Sequence, residues 1–143
     1  MTSISAGQSR SNPRFPVLGT IAVAAGAVLT WFAWLGWDSQ YQVDPATGVS
    51  SGPYEAWQVV GCAVTLLALF VGALLAGVRP VPAGAALTVA FTAAWTAHAA
   101  ATDDTGLYGV GMFMLLIGLG LATTVVGAVT MELRGRWAAR RRR

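Results

Sequence analysis

Four side chains of this 143-residue sequence are of the kinds that bind soft metal ions or haem. They belong to the only histidine, His98, the only cysteine, Cys62, and the methionines Met112 and Met114. The helix positions predicted below place all four in the same third of a membrane, and such ligands suit Cu(I) or a haem group. Their spacing matches no metal-binding motif, however, and methionine is a common packing residue. A metal site at His98, Cys62 and Met112 is therefore the minor alternative, and we predict no cofactor.

Acidic side chains form a second group, which suits cation or proton binding. Asp38, Glu55, Asp103 and Asp104 mark the ends of three apolar segments, on what we predict below to be one side of a membrane. Together with His98 they would form a pH-sensitive or cation-binding cluster. None of these acids lies inside an apolar segment, and carboxylates at helix ends commonly cap backbone N–H groups. We therefore favour a solvated rim in which these acids cap helices.

No motif of a known enzyme mechanism is present in the sequence. There is no nucleophile paired with a general base, no phosphate-binding loop and no metalloprotease motif. The single cysteine neither closes a disulfide within the chain nor forms a redox pair. The first apolar segment has no acidic residue, which argues against an ion-coupled transporter. We therefore predict that the protein is not an enzyme.

The composition places the chain in the membrane class. Hydrophobic residues make up 55% and charged residues 10% of the sequence, whereas a soluble domain has roughly 25% charged residues. Four apolar segments, at about 17–36, 55–78, 83–102 and 107–131, are each long enough to cross a hydrocarbon core of roughly 30 Å. The sequence therefore predicts an all-α membrane protein, a four-transmembrane-helix bundle formed by a single domain at 16–131.

The nine basic residues, all of them Arg, indicate the orientation. Two lie in the segment 1–15, one in the turn 79–82 and six in the segment 132–143. Basic residues near span ends mark the cytoplasmic side, so both termini are predicted to be cytoplasmic in a bacterial plasma membrane. We expect 1–15 to be a disordered tail and 132–143 to be a basic tail that attracts anionic lipid. Specific nucleic-acid binding is not expected, because the arginines belong to no folded module.

The loop 37–54 is the longest polar insert between apolar segments, and its sequence predicts a turn. In the segment 44–48, DPATG, the proline presets one φ angle and Gly48 permits a left-handed exit. The flanking segments 41–43 and 49–51 then predict a short extracytoplasmic β-hairpin between helices 1 and 2. We interpret this side of the protein as a recognition surface formed by Trp37, Asp38, Tyr41, Asp44, Tyr54, Glu55, Trp57, His98, Asp103 and Asp104.

The third and fourth apolar segments carry many small residues. The third is rich in alanine, which gains little from lipid, so this segment is a marginal membrane span by itself. Its threonines Thr88, Thr92 and Thr96 recur every fourth residue and lie on one stripe. The fourth segment has small residues on two nearly opposite faces, one with Gly109, Gly120 and Gly127 and the other with Gly111, Gly118 and Ala122. Such helices favour packing against further helices, from another copy or another subunit.

The leading functional hypothesis is a non-enzymatic accessory or scaffold subunit of a membrane complex. It would dock through the third and fourth segments and the outer loop, on a second copy or on another membrane protein within the lipid bilayer. One alternative is a small homo-oligomeric channel or transporter in which Thr88, Thr92 and Thr96 form a polar lining. Another alternative is a membrane redox or metal-binding protein that uses His98 and Cys62.

Overall fold

The computed structural model describes residues 14–37, 42–43, 45–48, 50–51, 54–103 and 105–142. Nearly all of these residues are helical, which confirms the predicted all-α class. The four helices are α1 (Arg14–Trp34), α2 (Ala56–Leu75), α3 (Pro80–Thr102) and α4 (Tyr108–Arg140). Two strands of two residues each, β1 (Gln42–Val43) and β2 (Ser50–Ser51), lie between α1 and α2.

Three of the helices, α1, α2 and α4, are long and apolar enough to cross a membrane. Helix α3 does not reach the same hydropathy, as its alanine content predicts. The fold places α3 between α1 and α4 and in contact with both, whereas α1 and α4 do not touch each other among the described residues. The weakest candidate span is therefore the helix that its neighbours cover most, and its own crossing of a membrane stays a prediction.

The predicted β-hairpin is reduced to a minimal ladder. Gln42 pairs antiparallel with Ser51, and Val43 pairs with Ser50. Gly48 has a φ of 68°, the left-handed conformation that the turn sequence predicts. Two strands of two residues do not make an independently stable sheet, so the structure does not support the predicted short β-hairpin beyond these two residue pairs.

The core is a column of buried side chains contributed by the first three helices. On each helix these residues recur at helical spacing, which brings them to a single face. They are Val23, Ala27, Trp31 and Leu35 from α1 and the turn after it, Cys62, Leu66, Phe70 and Leu74 from α2, and Ala83, Leu87 and Phe91 from α3. Helix α4 contributes only Gly127 and Thr130 to the buried set, so it is the least covered of the four helices.

The turn between α2 and α3 differs from the prediction. Helix α2 ends at Leu75, and Gly77 adopts a φ of 97°. The Gly77 N–H donates to the Leu74 carbonyl at 3.1 Å and the Val78 N–H to the Ala73 carbonyl at 3.0 Å, which together form a Schellman motif. The sequence predicted a non-helical connection through residues 79–82, but α3 begins at Pro80 because proline fits the first helical turn, where its missing N–H is not needed.

Two helices extend beyond their predicted limits. Arg14 and Phe15 belong to α1 rather than to the N-terminal tail, whose residues 1–13 lie outside the described part of the chain. Helix α4 runs past Met131 into the basic segment and ends at Arg140. An exposed Glu132–Arg136 ion pair bridges one turn of this extension. The 33 residues of α4 measure about 50 Å at roughly 1.5 Å per residue, which is longer than a hydrocarbon core of roughly 30 Å is thick.

Candidate functional site

The predicted recognition residues that the structure describes lie at one end of the helices, where α1 ends and α2 begins and where α3 ends and α4 begins. We call this the aromatic end; it contains Trp34, Trp37, Tyr54, Trp57 and Tyr108. The Trp34 and Trp57 rings meet edge to face with centroids 6.1 Å apart, and this contact joins α1 to α2. Four predicted residues, Asp38, Tyr41, Asp44 and Asp104, lie outside the described residues.

Glu55 caps helix α2. It occupies the N-cap position, and the Gln58 side chain accepts a hydrogen bond from the Glu55 backbone N–H at 2.7 Å. The Glu55 side chain accepts in turn from the backbone of Gln58, which completes a capping box. The Trp57 indole also donates to the Glu55 carboxylate. The helix begins at Ala56, one residue after the predicted start of the apolar segment at about residue 55.

Asp103 connects α3 to α4. Its carboxylate accepts hydrogen bonds from the Thr105 backbone N–H and the Tyr108 backbone N–H, both at 2.8 Å, and from the Thr105 hydroxyl. These donors stabilise the charged form and lower the pKa of Asp103 below its ordinary value. The Tyr108 N–H is one of the unpaired groups at the start of α4. The contacts of Asp103, like those of Glu55, are those of a helix-capping residue, as the favoured interpretation of the acids predicts.

Among the described residues, His98 and Cys62 do not form a metal-binding cluster with the acids. The His98 ring lies against the Trp31 ring of α1, with centroids 5.3 Å apart and an angle of 57° between the planes. Cys62 is 3% exposed and belongs to the apolar core. Within the described residues, no three side chains of His, Cys, Asp or Glu come together as a metal site. His98 therefore has the surroundings of a packing residue between α1 and α3.

Two tryptophans near the aromatic end pack directly against glycines of a neighbouring helix. A Cβ atom added at Gly61 would lie 2.4 Å from the Trp34 ring, and one added at Gly111 would lie 2.4 Å from the Trp95 ring. The Trp34 indole also donates to the Thr65 hydroxyl at 3.1 Å. Neither glycine was singled out for such a contact from the sequence, because no sequence signal shows which tryptophan faces which glycine.

The opposite end, which we call the arginine end, contains Arg79, Arg134, Arg136 and Arg140. The Arg134 guanidinium donates to the Leu74 carbonyl, which also accepts the Gly77 N–H of the Schellman motif. A positive charge is favourable at this position because the C-terminus of α2 carries a partial negative charge. Arg134 therefore connects α4 to the C-terminus of α2. The sequence did not indicate this contact, because Arg134 is one of six arginines in the segment 132–143.

A groove runs between α3 and α4 from the arginine end toward the middle of the helices. It has a volume of about 450 Å³. Its walls are mostly small, with Gly84, Ala85 and Thr88 on α3 and Gly120, Thr124 and Ala128 on α4, and Pro80, Val81 and Met131 line its end. We call it the α3–α4 groove. Of the two small-residue faces predicted for the fourth segment, the groove contains Gly120 and Gly127 from one and no residue from the other.

The threonines of the groove differ in their hydrogen bonds. Thr123 and Thr124 donate to carbonyls of their own helix, at 2.8 Å to Leu119 and 2.7 Å to Gly120. Thr88 also lines the groove, but the residue is only 7% exposed. Its hydroxyl is buried and has no hydrogen-bond partner within the described part of the chain. The hydroxyls of Thr92 and Thr96 share this condition. The threonine stripe is therefore covered within one chain, and its hydroxyls are left unpaired.

The comparisons with known proteins add no relative on which to base a function. No family model, no curated protein and no solved structure matches the chain. The functional argument therefore depends on the aromatic end, the α3–α4 groove and the exposed surfaces of the helices.

Proposed function

We propose that the protein is a non-enzymatic accessory or scaffold subunit that docks on another membrane protein. The observation that carries this proposal is the exposed face of α3, which consists of Ala85, Val89, Ala93, Ala97 and Ala101, all exposed at four-residue spacing. We call it the alanine face. It extends along most of α3 and offers a smooth strip on which the backbone of another helix can approach closely.

The alanine face belongs to the helix that benefits least from contact with lipid. Alanine contributes little to membrane insertion, and α3 is the one described helix that is not apolar enough to qualify as a span. The side of α3 that faces α1 and α4 is already covered. Covering the remaining side with a partner helix replaces a weak lipid contact by close van der Waals packing, which is the main driving force of helix association in membranes.

The proposal includes four membrane crossings in a bacterial plasma membrane, with both termini in the cytoplasm. The 23 residues of α3 measure about 35 Å, enough for a core of roughly 30 Å. The described arginines lie at the end where α1 starts, α2 meets α3 and α4 finishes, which fits the positive-inside rule. A phosphatase reporter fused after Gly48 should be active and one fused after Arg79 inactive; the reverse pattern would contradict the orientation.

The aromatic end is the second part of the proposed docking surface, on the extracytoplasmic side. Trp37 and Trp57 remain exposed there, and the Trp37 indole donates to the Ala33 carbonyl of its own helix at 3.0 Å. Rigid, exposed tryptophans are frequent anchors in protein interfaces. The loop with its short hairpin would complete this surface.

The two alternative functions receive less support from the geometry. A pore lining needs side chains that face water, whereas Thr88 and Thr92 are buried within one chain. A redox or metal centre needs several ligands at one point, whereas His98 contacts Trp31 and Cys62 lies in the apolar core. Both alternatives remain predictions from the sequence.

Photo-crosslinking in native membranes tests the docking proposal. A photoreactive residue at Ala97 should give a discrete crosslinked protein, identified by mass spectrometry as a second copy or another subunit. The matched position is Leu29, which is 67% exposed on α1 and lies outside the alanine face. Crosslinks to lipid alone at Ala97, or the same protein products at both positions, would contradict the proposal.

A further inference from the structure

We infer that the α3–α4 groove binds one acyl chain of an anionic phospholipid from the leaflet at the arginine end. This inference depends on the membrane placement proposed above. The alanine face shares Ala85 and Val89 with the groove, so a lipid chain there leaves Ala93, Ala97 and Ala101 for the proposed partner. The first argument is the depth of the groove. Its α4 wall runs from Gly120 to Met131, which is about 16 Å at roughly 1.5 Å per residue. One leaflet of a hydrocarbon core of roughly 30 Å is about 15 Å deep.

The second argument is that the groove stops where that leaflet would end. Toward the aromatic end, the Trp95 ring fills the space over Gly111 and closes the contact between α3 and α4. The neighbouring surface of α4 then carries exposed bulky residues, Phe113, Met114 and Ile117. A partner helix packed closely in the groove would have to pass these bulky residues in the other leaflet, where they prevent close approach. A lipid chain needs a cavity in one leaflet only, and that is the extent of this groove.

The third argument is charge complementarity at the open end of the groove. Arg79 is exposed and directly precedes the lining residue Pro80. Its carbonyl accepts the Ala83 N–H at 3.2 Å, and its guanidinium has no hydrogen-bond or ion-pair partner among the described residues. It is the N-cap of α3, so the positive end of the helix dipole lies at the same place. The two other nearby arginines are engaged, Arg134 by the Leu74 carbonyl and Arg136 by Glu132. Arg79 is therefore the cation available for a phosphate group at the mouth of the groove.

Two glycines of α4 make a matched pair for the test. Neither Gly118 nor Gly120 has a heavy atom within 4 Å of an added Cβ, so both accept a larger side chain without a clash at that atom. Gly120 lines the groove and Gly118 does not. The variant Gly120→Leu therefore fills the groove, and Gly118→Leu adds the same side chain to the same helix elsewhere.

The experiment is native mass spectrometry of the full chain, purified in mild detergent and incubated with equal amounts of phosphatidylglycerol and phosphatidylcholine. We expect the wild type and Gly118→Leu to retain one phosphatidylglycerol, and Gly120→Leu to lose it. Arg79→Gln should reduce the preference for phosphatidylglycerol roughly fivefold, from about 1 kcal/mol for one Arg near an anionic lipid. Circular dichroism of each variant verifies that its helices are intact.

Three results would overturn the inference. Equal lipid retention by Gly118→Leu and Gly120→Leu would mean that lipid covers α4 without a defined site. Equal retention of phosphatidylglycerol and phosphatidylcholine by the wild type would mean that Arg79 does not select an anionic headgroup. A co-purifying protein that Gly120→Leu alone releases would identify the occupant as a partner helix, which would also satisfy the unpaired Thr88 hydroxyl. Failure of the crosslink at Ala97, outside the groove, would leave these lipid results unaffected.

Discussion

The two halves of the contact between α3 and α4 are built from similar residues and packed in different ways. Near the aromatic end, Trp95 of α3 covers Gly111 of α4 so closely that no Cβ would fit. Near the arginine end, a Cβ added at Gly84 would make a tight contact of 3.2 Å with Thr123, whereas a Cβ added at Gly120 would have no heavy atom within 4 Å. A glycine in a membrane helix therefore has two distinct uses, as the seat of a large side chain or as the wall of a cavity. The opposing residue decides between them.

The same contrast separates the two ends of the protein as a whole. At the aromatic end, rings and caps join α1 to α2 through Trp34 and Gly61, α1 to α3 through Trp31 and His98, and α3 to α4 through Asp103 and Tyr108. At the arginine end, a Schellman motif and one arginine perform this task, and a groove is left between two helices. The aromatic end is therefore suited to rigid recognition, and the arginine end to lipid.

The largest expected effect comes from placing leucine at the two kinds of glycine. Gly111→Leu forces the Trp95 ring away and should lower the unfolding free energy by about 3 kcal/mol, the upper range for overpacking. Gly120→Leu should change it by less than about 1 kcal/mol, because the side chain enters open space. Unfolding in mixed detergent micelles with increasing dodecyl sulfate measures both. Similar losses for the two variants would break the distinction between the halves, and Trp95→Ala should partly rescue Gly111→Leu.

An intermediate effect is expected from the arginine that joins α4 to α2. Arg134→Gln removes the charged hydrogen bond to the Leu74 carbonyl and should cost about 1 kcal/mol. The matched change Arg140→Gln, at an exposed position whose side chain has no partner in the part of the chain that the structure describes, should have no measurable effect. The same unfolding titration distinguishes the two. Equal behaviour would mean that the arginine end is held by helix packing alone.

The smallest effect concerns the cap at the aromatic end. Hydrogen bonds from Thr105 and Tyr108 lower the pKa of Asp103, so its folded-state pKa lies below its unfolded-state value. Its contribution to stability is therefore present above the ordinary aspartate pKa and is lost as the pH falls through the lowered value. Amide exchange at the start of α4 should accelerate in that acidic range. Asp103→Asn should remove this pH dependence, and a dependence that persists would assign it to another group.

Much of the fold follows from the sequence, because long uncharged apolar segments predict helices that are long enough to cross a membrane. The all-α class, the positions of the four helices and the weakness of α3 as a span were all predictable from alanine content and the lack of charge. The arginine distribution predicted which helix ends lie together. The helix limits at Pro80 and Arg140 do not follow from the sequence. Prolines are typical of a connection as well as of a first helical turn, and a run of arginines is typical of a tail.

The candidate site was less predictable, because it depends on how helices cross. The sequence shows Trp95 and Gly111 but does not show that they meet, since a small change in crossing angle would bring another residue over the glycine. The small residues of α3 and α4 can be read from the sequence. The groove between the arginine-end halves of these helices cannot, because it depends on how the two helices pack. His98 and Cys62 are rare residue types in this sequence, which made them candidate ligands. In the structure, His98 lies against the Trp31 ring and Cys62 lies in the apolar core.

The central position of α3 has a consequence for how the chain is made. Its two most extensive contacts are with α1, which precedes it in the chain, and with α4, which follows it. During synthesis, therefore, this alanine-rich helix is half covered until α4 has been translated. We expect a chain that is cut before Tyr108 to lack that cover, which leaves the third helix accessible on the side that α4 would occupy.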